Sequence, residues 1–115
     1  MKTLINAEIK AIHIFSEDWG DEPDDFCVKL EVDIGIEGIN GSEIFKFTII
    51  SPKYLSKFLT GNEIKLGRGL LITNDFNINK AEHEIEKIIK ACSSDSWEKT
   101  SLFLSRFAQW EYDYE

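Results

Sequence analysis

Alternating apolar and polar positions dominate the first half of the chain and predict three β-strands. The clearest run covers residues 26–36, where every second side chain is apolar and the intervening ones are largely charged. This period of two is typical of a strand with one buried face. A run over 43–50 repeats it, and the two glycines within 37–42 favour a hairpin turn between the two strands. Residues 4–15 predict the first strand. The apolar residues that share one face of that strand are Ile5, Ala7, Ile9 and Ala11.

A Ser-Pro pair changes the pattern from strand to helix. Ser51 is a good N-cap residue and Pro52 suits the first helical position, so we expect a helix here that Gly61 ends in the left-handed conformation. Its apolar stripe is formed by Tyr54, Leu55, Phe58 and Leu59. A short strand over residues 69–73 is expected to follow.

Two further helices are predicted in the last third of the chain. The first spans residues 76–92, is capped by Asn74 or Asp75, and has apolar residues at the helical spacing of three and four. The residues of that stripe are Ile78, Ala81, Ile85, Ile88 and Cys92. The second spans 96–108, with Asp95 and Glu98 fitting a capping box. Its inward-facing residues are expected to be Trp97, Leu104 and Phe107.

The tail returns to strand periodicity, so the elements follow the order β-β-β-α-β-α-α-β. Trp110, Tyr112 and Tyr114 alternate with acids, as an edge strand closing a sheet would. We therefore predict an α+β fold, with an antiparallel sheet of about four to five strands and three helices packed mainly on one face. Residues 1–115 are expected to form a single domain.

Net charge adds a second kind of information, because the negative charge is local. The chain has 21 acids and 13 bases, a net charge of −8. Residues 17–25 hold six acids and no base, and residues 110–115 hold three acids and no base. The rest of the chain is nearly neutral. Such a distribution argues against a nucleic-acid partner, since phosphate binding needs clustered Lys and Arg.

The two acidic segments are the candidate partner-binding sites. Segment 17–25 has Gly20 and Pro23 and is expected to be a loop, either simply solvated or an electrostatic docking surface with Trp19 as its aromatic anchor. The residues predicted to bind a partner are Glu17, Asp18, Trp19, Asp21, Glu22, Asp24, Asp25, Glu111, Tyr112, Asp113 and Tyr114. Trp110 is instead expected to cover the core.

Catalytic and metal-binding patterns are weak. His13 fits a packed or edge position on a strand, and His83 fits the polar face of a helix. Cys27 and Cys92 lie far apart in sequence and are expected to be buried thiols. The acids of segment 17–25 lack the ligand spacing of an EF-hand. We therefore expect a non-catalytic protein without a cofactor or a metal.

The chain also lacks the features of membrane insertion and secretion. No run approaches the roughly 20 apolar residues that a spanning helix needs, and the first residues include an acid where a signal peptide would be apolar. We expect a cytoplasmic protein with no membrane partner. The oligomeric state stays open at this point.

Several pieces of the chain, taken in order, form a pattern that extends over nearly its whole length. They are 7–15 (AEIKAIHIF), 23–26 (PDDF), 34–38 (IGIEG), 41–47 (GSEIFKF), Trp97 and 104–112 (LSRFAQWEY). With this pattern the chain resembles the immunity protein 8 family of bacterial polymorphic toxin systems. Residues 51–55 are similar to the family's Thr-Pro-x-Trp-Leu, from which Ser51 and Tyr54 depart. The resemblance implies a non-catalytic cytoplasmic protein that binds and neutralises the toxin domain encoded beside it.

Three functions therefore compete. The first is an immunity protein that covers the active or substrate-binding surface of a cognate toxin, possibly a nuclease with a basic surface. The second is an acidic adaptor or nucleic-acid mimic unrelated to toxins. The third is a small enzyme that uses a carboxylate pair such as Asp24 and Glu111.

Overall fold

The structure is a computed structural model described over residues 3–112, and within that range it has five strands and three helices. In chain order the elements are β1 Ala7–Trp19, β2 Phe26–Ile36, β3 Glu43–Ile50, α1 Pro52–Phe58, β4 Leu70–Ile72, α2 Ile78–Ala91, α3 Trp97–Leu104 and β5 Gln109–Trp110. The predicted α+β class and the predicted order of elements are confirmed.

The sheet is mixed, which corrects the prediction of a wholly antiparallel one. Strands β1, β2 and β3 form an antiparallel meander, but β4 runs parallel to the C-terminal half of β3. A parallel neighbour needs a long crossover connection, and helix α1 with the segment after it supplies one. Strand β5 pairs antiparallel with the N-terminal half of β3, so β4 and β5 share one edge of that strand.

Strand β1 is longer and less regular than its pattern predicts. Its pairing with β2 shifts twice, between Ile9 and Ala11 and again between Ile14 and Ser16. Each β-bulge inserts one residue and reverses the alternation. Ala11 therefore lies on the face opposite to Ile9, which corrects the prediction that the two residues share a face.

The hydrophobic core lies between one face of the sheet and helices α2 and α3. Alternate residues of β2 and β3 supply the sheet side, and Leu104 of α3 is fully buried against them. The fully buried strand residues are Phe26, Val28, Leu30, Val32, Ile34, Phe45, Phe47 and Ile49. Helix α2 contributes Ala81, Ile85 and Ile89. Two of the three helices thus cover the predicted face.

Helix α1 instead lies beside the opposite face, here called the second face. Its side chains line a groove together with residues of β2 and β3 that point away from the core, Cys27 and Thr48 among them. Ser51 caps the helix as predicted, and its Oγ accepts the Tyr54 N–H at 3.1 Å. The helix ends at Phe58, three residues before Gly61.

The caps of the two later helices differ by one to three residues from the prediction. Asn77 caps α2, and its side chain accepts the N–H groups of two residues of the first turn. Ser96 caps α3, while Asp95 forms an ion pair with Lys99 at 3.0 Å. Helix α3 ends before Phe107, so that ring is nearly half exposed rather than buried.

Candidate protein-binding surfaces

Segment 17–25 is a strand end followed by the predicted loop, which begins at Gly20 and not at Glu17. Residues 17–19 complete β1, and residues 20–25 form the turn into β2. The Gly20 N–H donates to the Asp25 carbonyl at 2.8 Å, and the Asp25 N–H donates to the Glu22 carbonyl at 3.1 Å. The strand continues through Trp19 because that residue pairs with Phe26 across the hairpin.

Trp19 is anchored on one side and exposed on the other. Its ring lies 5.1 Å from that of Phe26 and 5.7 Å from that of Phe76. Its Nε1 donates to the Glu17 carboxylate at 3.2 Å, and 43% of the residue stays exposed. A large ring held in place next to carboxylates suits a partner-binding anchor, since little conformational entropy is lost when it binds.

Helix α1 neutralises part of the acidic segment. Lys53 contacts Asp24 at 3.1 Å and Glu22 at 3.7 Å, and Lys57 forms an ion pair with Asp25. The hydrogen bond that Lys53 donates to the Asp24 carboxylate raises the pKa of Lys53 above its ordinary value. Lys53 and Lys57 lie 29 and 32 residues further along the chain than the acids they bind, so their pairing with the segment was not predicted from the sequence.

Asp25 differs from the other acids of the segment because it is buried. Only 6% of the residue is exposed, and its Oδ1 has no hydrogen-bond partner among the described residues. A Cβ added at Gly20 would collide with this carboxylate, so the glycine allows the turn to close over it. Within the structure Asp25 fastens the turn to α1 through Lys57.

Asp18 lies on the second face, opposite to Trp19 on the strand. Its Oδ2 accepts the Tyr54 hydroxyl at 2.5 Å. This hydrogen bond raises the pKa of Tyr54 to about 12, since ionising the phenol would remove the donor and place two negative charges side by side. The exposed carboxylates of Glu17 and Asp21 are not bound to helix α1 in this way.

The acidic tail has a structural role where it is described. The Glu111 carboxylate accepts the Ile44 N–H at 2.9 Å, and the Glu111 N–H donates to the Ile44 carbonyl at 3.0 Å. Both bonds extend the pairing of β5 with β3. Tyr112 is half-exposed and contacts Trp110 edge to face. Asp113 and Tyr114 lie outside the described residues.

Trp110 covers the core, as its position in the sequence predicts. Its ring stacks on Phe45 at 6.1 Å, and its Nε1 donates to the Glu43 carboxylate at 2.6 Å. The other oxygen of Glu43 accepts the Trp97 indole N–H at 2.8 Å. One carboxylate therefore satisfies two partly buried indoles, which sequence reasoning did not foresee.

The acidic segment and the described part of the tail, residues 110–112, lie apart. The segment adjoins the C-terminal end of β3, where the Ser51 N–H donates to the Phe26 carbonyl, whereas Trp110 pairs with Phe45 near the start of the strand. Five residues of strand between these points correspond to roughly 17 Å. The carboxylates of Asp24 and Glu111 therefore form no catalytic pair.

Other chemistry finds little support in the described residues. The His13 side chain is largely exposed, and its Nε2 lies 3.6 Å from Oδ2 of Asp33. Cys27 and Cys92 are free, buried thiols, and burial raises the pKa of both. Within residues 3–112 no three His, Cys, Asp or Glu side chains are grouped as metal ligands.

One apolar surface was missed by sequence reasoning. The groove beside α1 has a volume of about 600 Å³, and exposed apolar side chains surround it. The signal in the sequence was Leu66, a large apolar residue that lines the groove from a segment without secondary-structure periodicity.

No helix among the described residues combines the length and the hydropathy needed to cross a bilayer.

Comparison with known proteins identifies the family. No curated protein and no solved structure gives a significant match. The family model described as Immunity protein 8 matches residues 4–114, which is nearly the whole chain and includes every element described above. The chain therefore belongs to the immunity protein 8 family.

Proposed function

We propose that this protein neutralises a cognate bacterial toxin domain in the cytoplasm by binding it and covering its active or substrate-binding surface. It acts by occupying that surface and catalyses no reaction. The family assignment over residues 4–114 supports a role in immunity. The toxin is expected to present a basic surface, as a nuclease does where it holds the phosphate backbone.

The acidic end of the β1–β2 hairpin is the proposed docking surface. Glu17, Asp21 and Glu22 are exposed there beside the half-exposed ring of Trp19. Clustered carboxylates accelerate the approach of a basic partner, and an ordered tryptophan among them supplies apolar contact after docking. Asp25 is left out of the contact surface in this proposal because it is buried. Asp113 and Tyr114 remain candidates from the sequence.

The test is binding to an inactive variant of the product of the gene immediately upstream. Glu17→Lys with Asp21→Lys is expected to slow association about ten-fold at low salt and to weaken its salt dependence. The matched control is Glu82→Lys with Glu86→Lys, the same charge change on helix α2.

Two results would count against this assignment. If both pairs of substitutions slow association equally, net charge matters and the hairpin end is not the docking surface. If the wild-type protein neither binds the upstream product nor protects cells from it, the immunity function is wrong. Equal affinity for unrelated basic nucleases would instead indicate a general nucleic-acid mimic.

A further inference from the structure

The groove on the second face is the largest apolar concavity described in the molecule. Its floor is formed by side chains of β2, β3 and β4 that point away from the core, such as Cys27 and Ile50. Helix α1 forms one wall and the segment before β4 forms the other. The groove is open to solvent along its length.

Large apolar side chains around this groove are unusually exposed. Leu66 is 91% exposed, more than half of Phe58 and of Ile72 is exposed, and Leu59 is 40% exposed. Single exposed apolar residues are ordinary, but four that line one concavity are typical of a protein-binding site.

The charge of the groove is opposite to that of the chain. Of the described residues that line it, three are bases and none is an acid. The three bases are Lys29, Lys65 and Arg68. Lys65 Nζ lies 4.3 Å above the Phe58 ring and 3.9 Å from the Glu63 carboxylate, and the Arg68 guanidinium donates to the Ser105 carbonyl at 3.2 Å. These contacts hold both cations at the rim of the groove. The cleft between β1 and α2, by contrast, is lined by four glutamates and one lysine.

We infer that this groove receives an apolar, carboxylate-bearing segment of the toxin domain. The inference rests on the proposed function and names a second contact within the same complex. Apolar side chains of the toxin segment fill the groove, and its carboxylates meet the three bases at the rim. Helix α1 lies between this groove and the carboxylates of Glu22, Asp24 and Asp25, while Asp18 is held against the groove wall by Tyr54. The toxin therefore meets a mainly negative surface on one side of α1 and a mainly positive one on the other. A partner whose surface lacks the complementary charge at either place should bind more weakly.

The experiment measures dissociation of the inactive upstream gene product from groove variants. Leu66→Asp adds one charge at a groove position that is 91% exposed, so circular dichroism should show an unchanged fold. Dissociation is expected to accelerate about ten-fold or more, since buried apolar anchors act mainly on the dissociation rate. Leu102→Asp is the control, because Leu102 is a half-exposed leucine of α3 that does not line the groove.

A charge reversal tests the chemistry of the segment. Lys65→Glu should accelerate dissociation, whereas Lys87→Glu on α2 makes the same charge change away from the groove and should leave it unchanged. If the wild-type protein binds and protects but the groove variants behave like their controls, the groove inference is wrong and the proposed function stands. If the wild-type protein does not bind, both fail.

A second copy of the chain is the competing occupant of the groove. Sedimentation of the free protein decides this point, with the wild type and the Leu66→Asp variant compared at several concentrations. A monomer in both cases agrees with a toxin segment as the occupant. A wild-type oligomer that the substitution dissociates would overturn the inference.

Discussion

At the scale of single residues, the bond between Tyr54 and Asp18 makes a measurable difference to ionisation. The hydrogen bond raises the pKa of Tyr54 from 10.0 to about 12 in the folded protein. Its contribution to stability is therefore complete below pH 10 and is lost as the pH rises towards 12, where the phenol ionises. Asp18→Asn should lower this pKa towards its ordinary value, as followed by near-ultraviolet absorbance. Tyr54→Phe, which should abolish the late transition, is the control. If the pKa of Tyr54 is the same in Asp18→Asn as in the wild type, the hydrogen bond to the carboxylate is not what raises it.

Residue identities alone located the acids along the chain, but did not show how each is paired. The six carboxylates of segment 17–25 look equivalent in sequence, whereas the structure buries Asp25 and leaves Asp21 exposed. The difference depends on Lys53 and Lys57, which reach the segment only because α1 folds back beside the hairpin. Tertiary partners of this kind leave no local signal. Charge position was therefore predictable, and charge pairing was not.

At the scale of elements, Ser51 joins a strand to a helix through one hydroxyl group. Its Oγ accepts the N–H of Phe26 and that of Tyr54, both at 3.1 Å, and the residue is fully buried. Ser51→Ala leaves both donors without this partner and should lower the free energy of unfolding by about 2–3 kcal/mol. Asn77→Ala removes an exposed cap of α2 and should cost only about 1 kcal/mol. Urea denaturation measures both. Equal losses would mean that the bond to β2 contributes nothing beyond the cap.

Elements with a strong period were predicted well, and those whose form depends on pairing were not. Strands β2 and β3 match the predicted residues because their alternation is regular and one face is buried. The bulges of β1 depend on its partner strand, since an extra residue such as Phe15 is extra only relative to β2. The parallel direction of β4 likewise depends on the route of the crossover after α1. The three residues of β4 contain no signal for that route.

At the scale of the whole molecule, the net charge of −8 is divided between surfaces of opposite sign. Negative side chains lie at the hairpin end and along the cleft between β1 and α2, and the basic groove lies on the second face. Such a charge distribution gives the molecule an electric dipole. The dipole orients a charged partner during approach as well as attracting it. The two proposed docking surfaces are expected to act at different stages of binding. On this proposal the carboxylates act before contact, and the apolar groove acts after it.

This division predicts how substitutions combine. Glu17→Lys with Asp21→Lys should reduce the association rate, and Leu66→Asp should raise the dissociation rate, so the combined variant should weaken binding by the product of the two effects, within about two-fold. Phe58→Asp with Leu66→Asp should instead weaken binding by less than the product of the two single effects, because side chains that line one groove share one contact. Binding kinetics of the single and combined variants measure both relations. The effects of substitutions on two independent surfaces multiply. A combined loss of affinity that departs from the product by much more than about two-fold would show that the hairpin end and the groove form one continuous binding site.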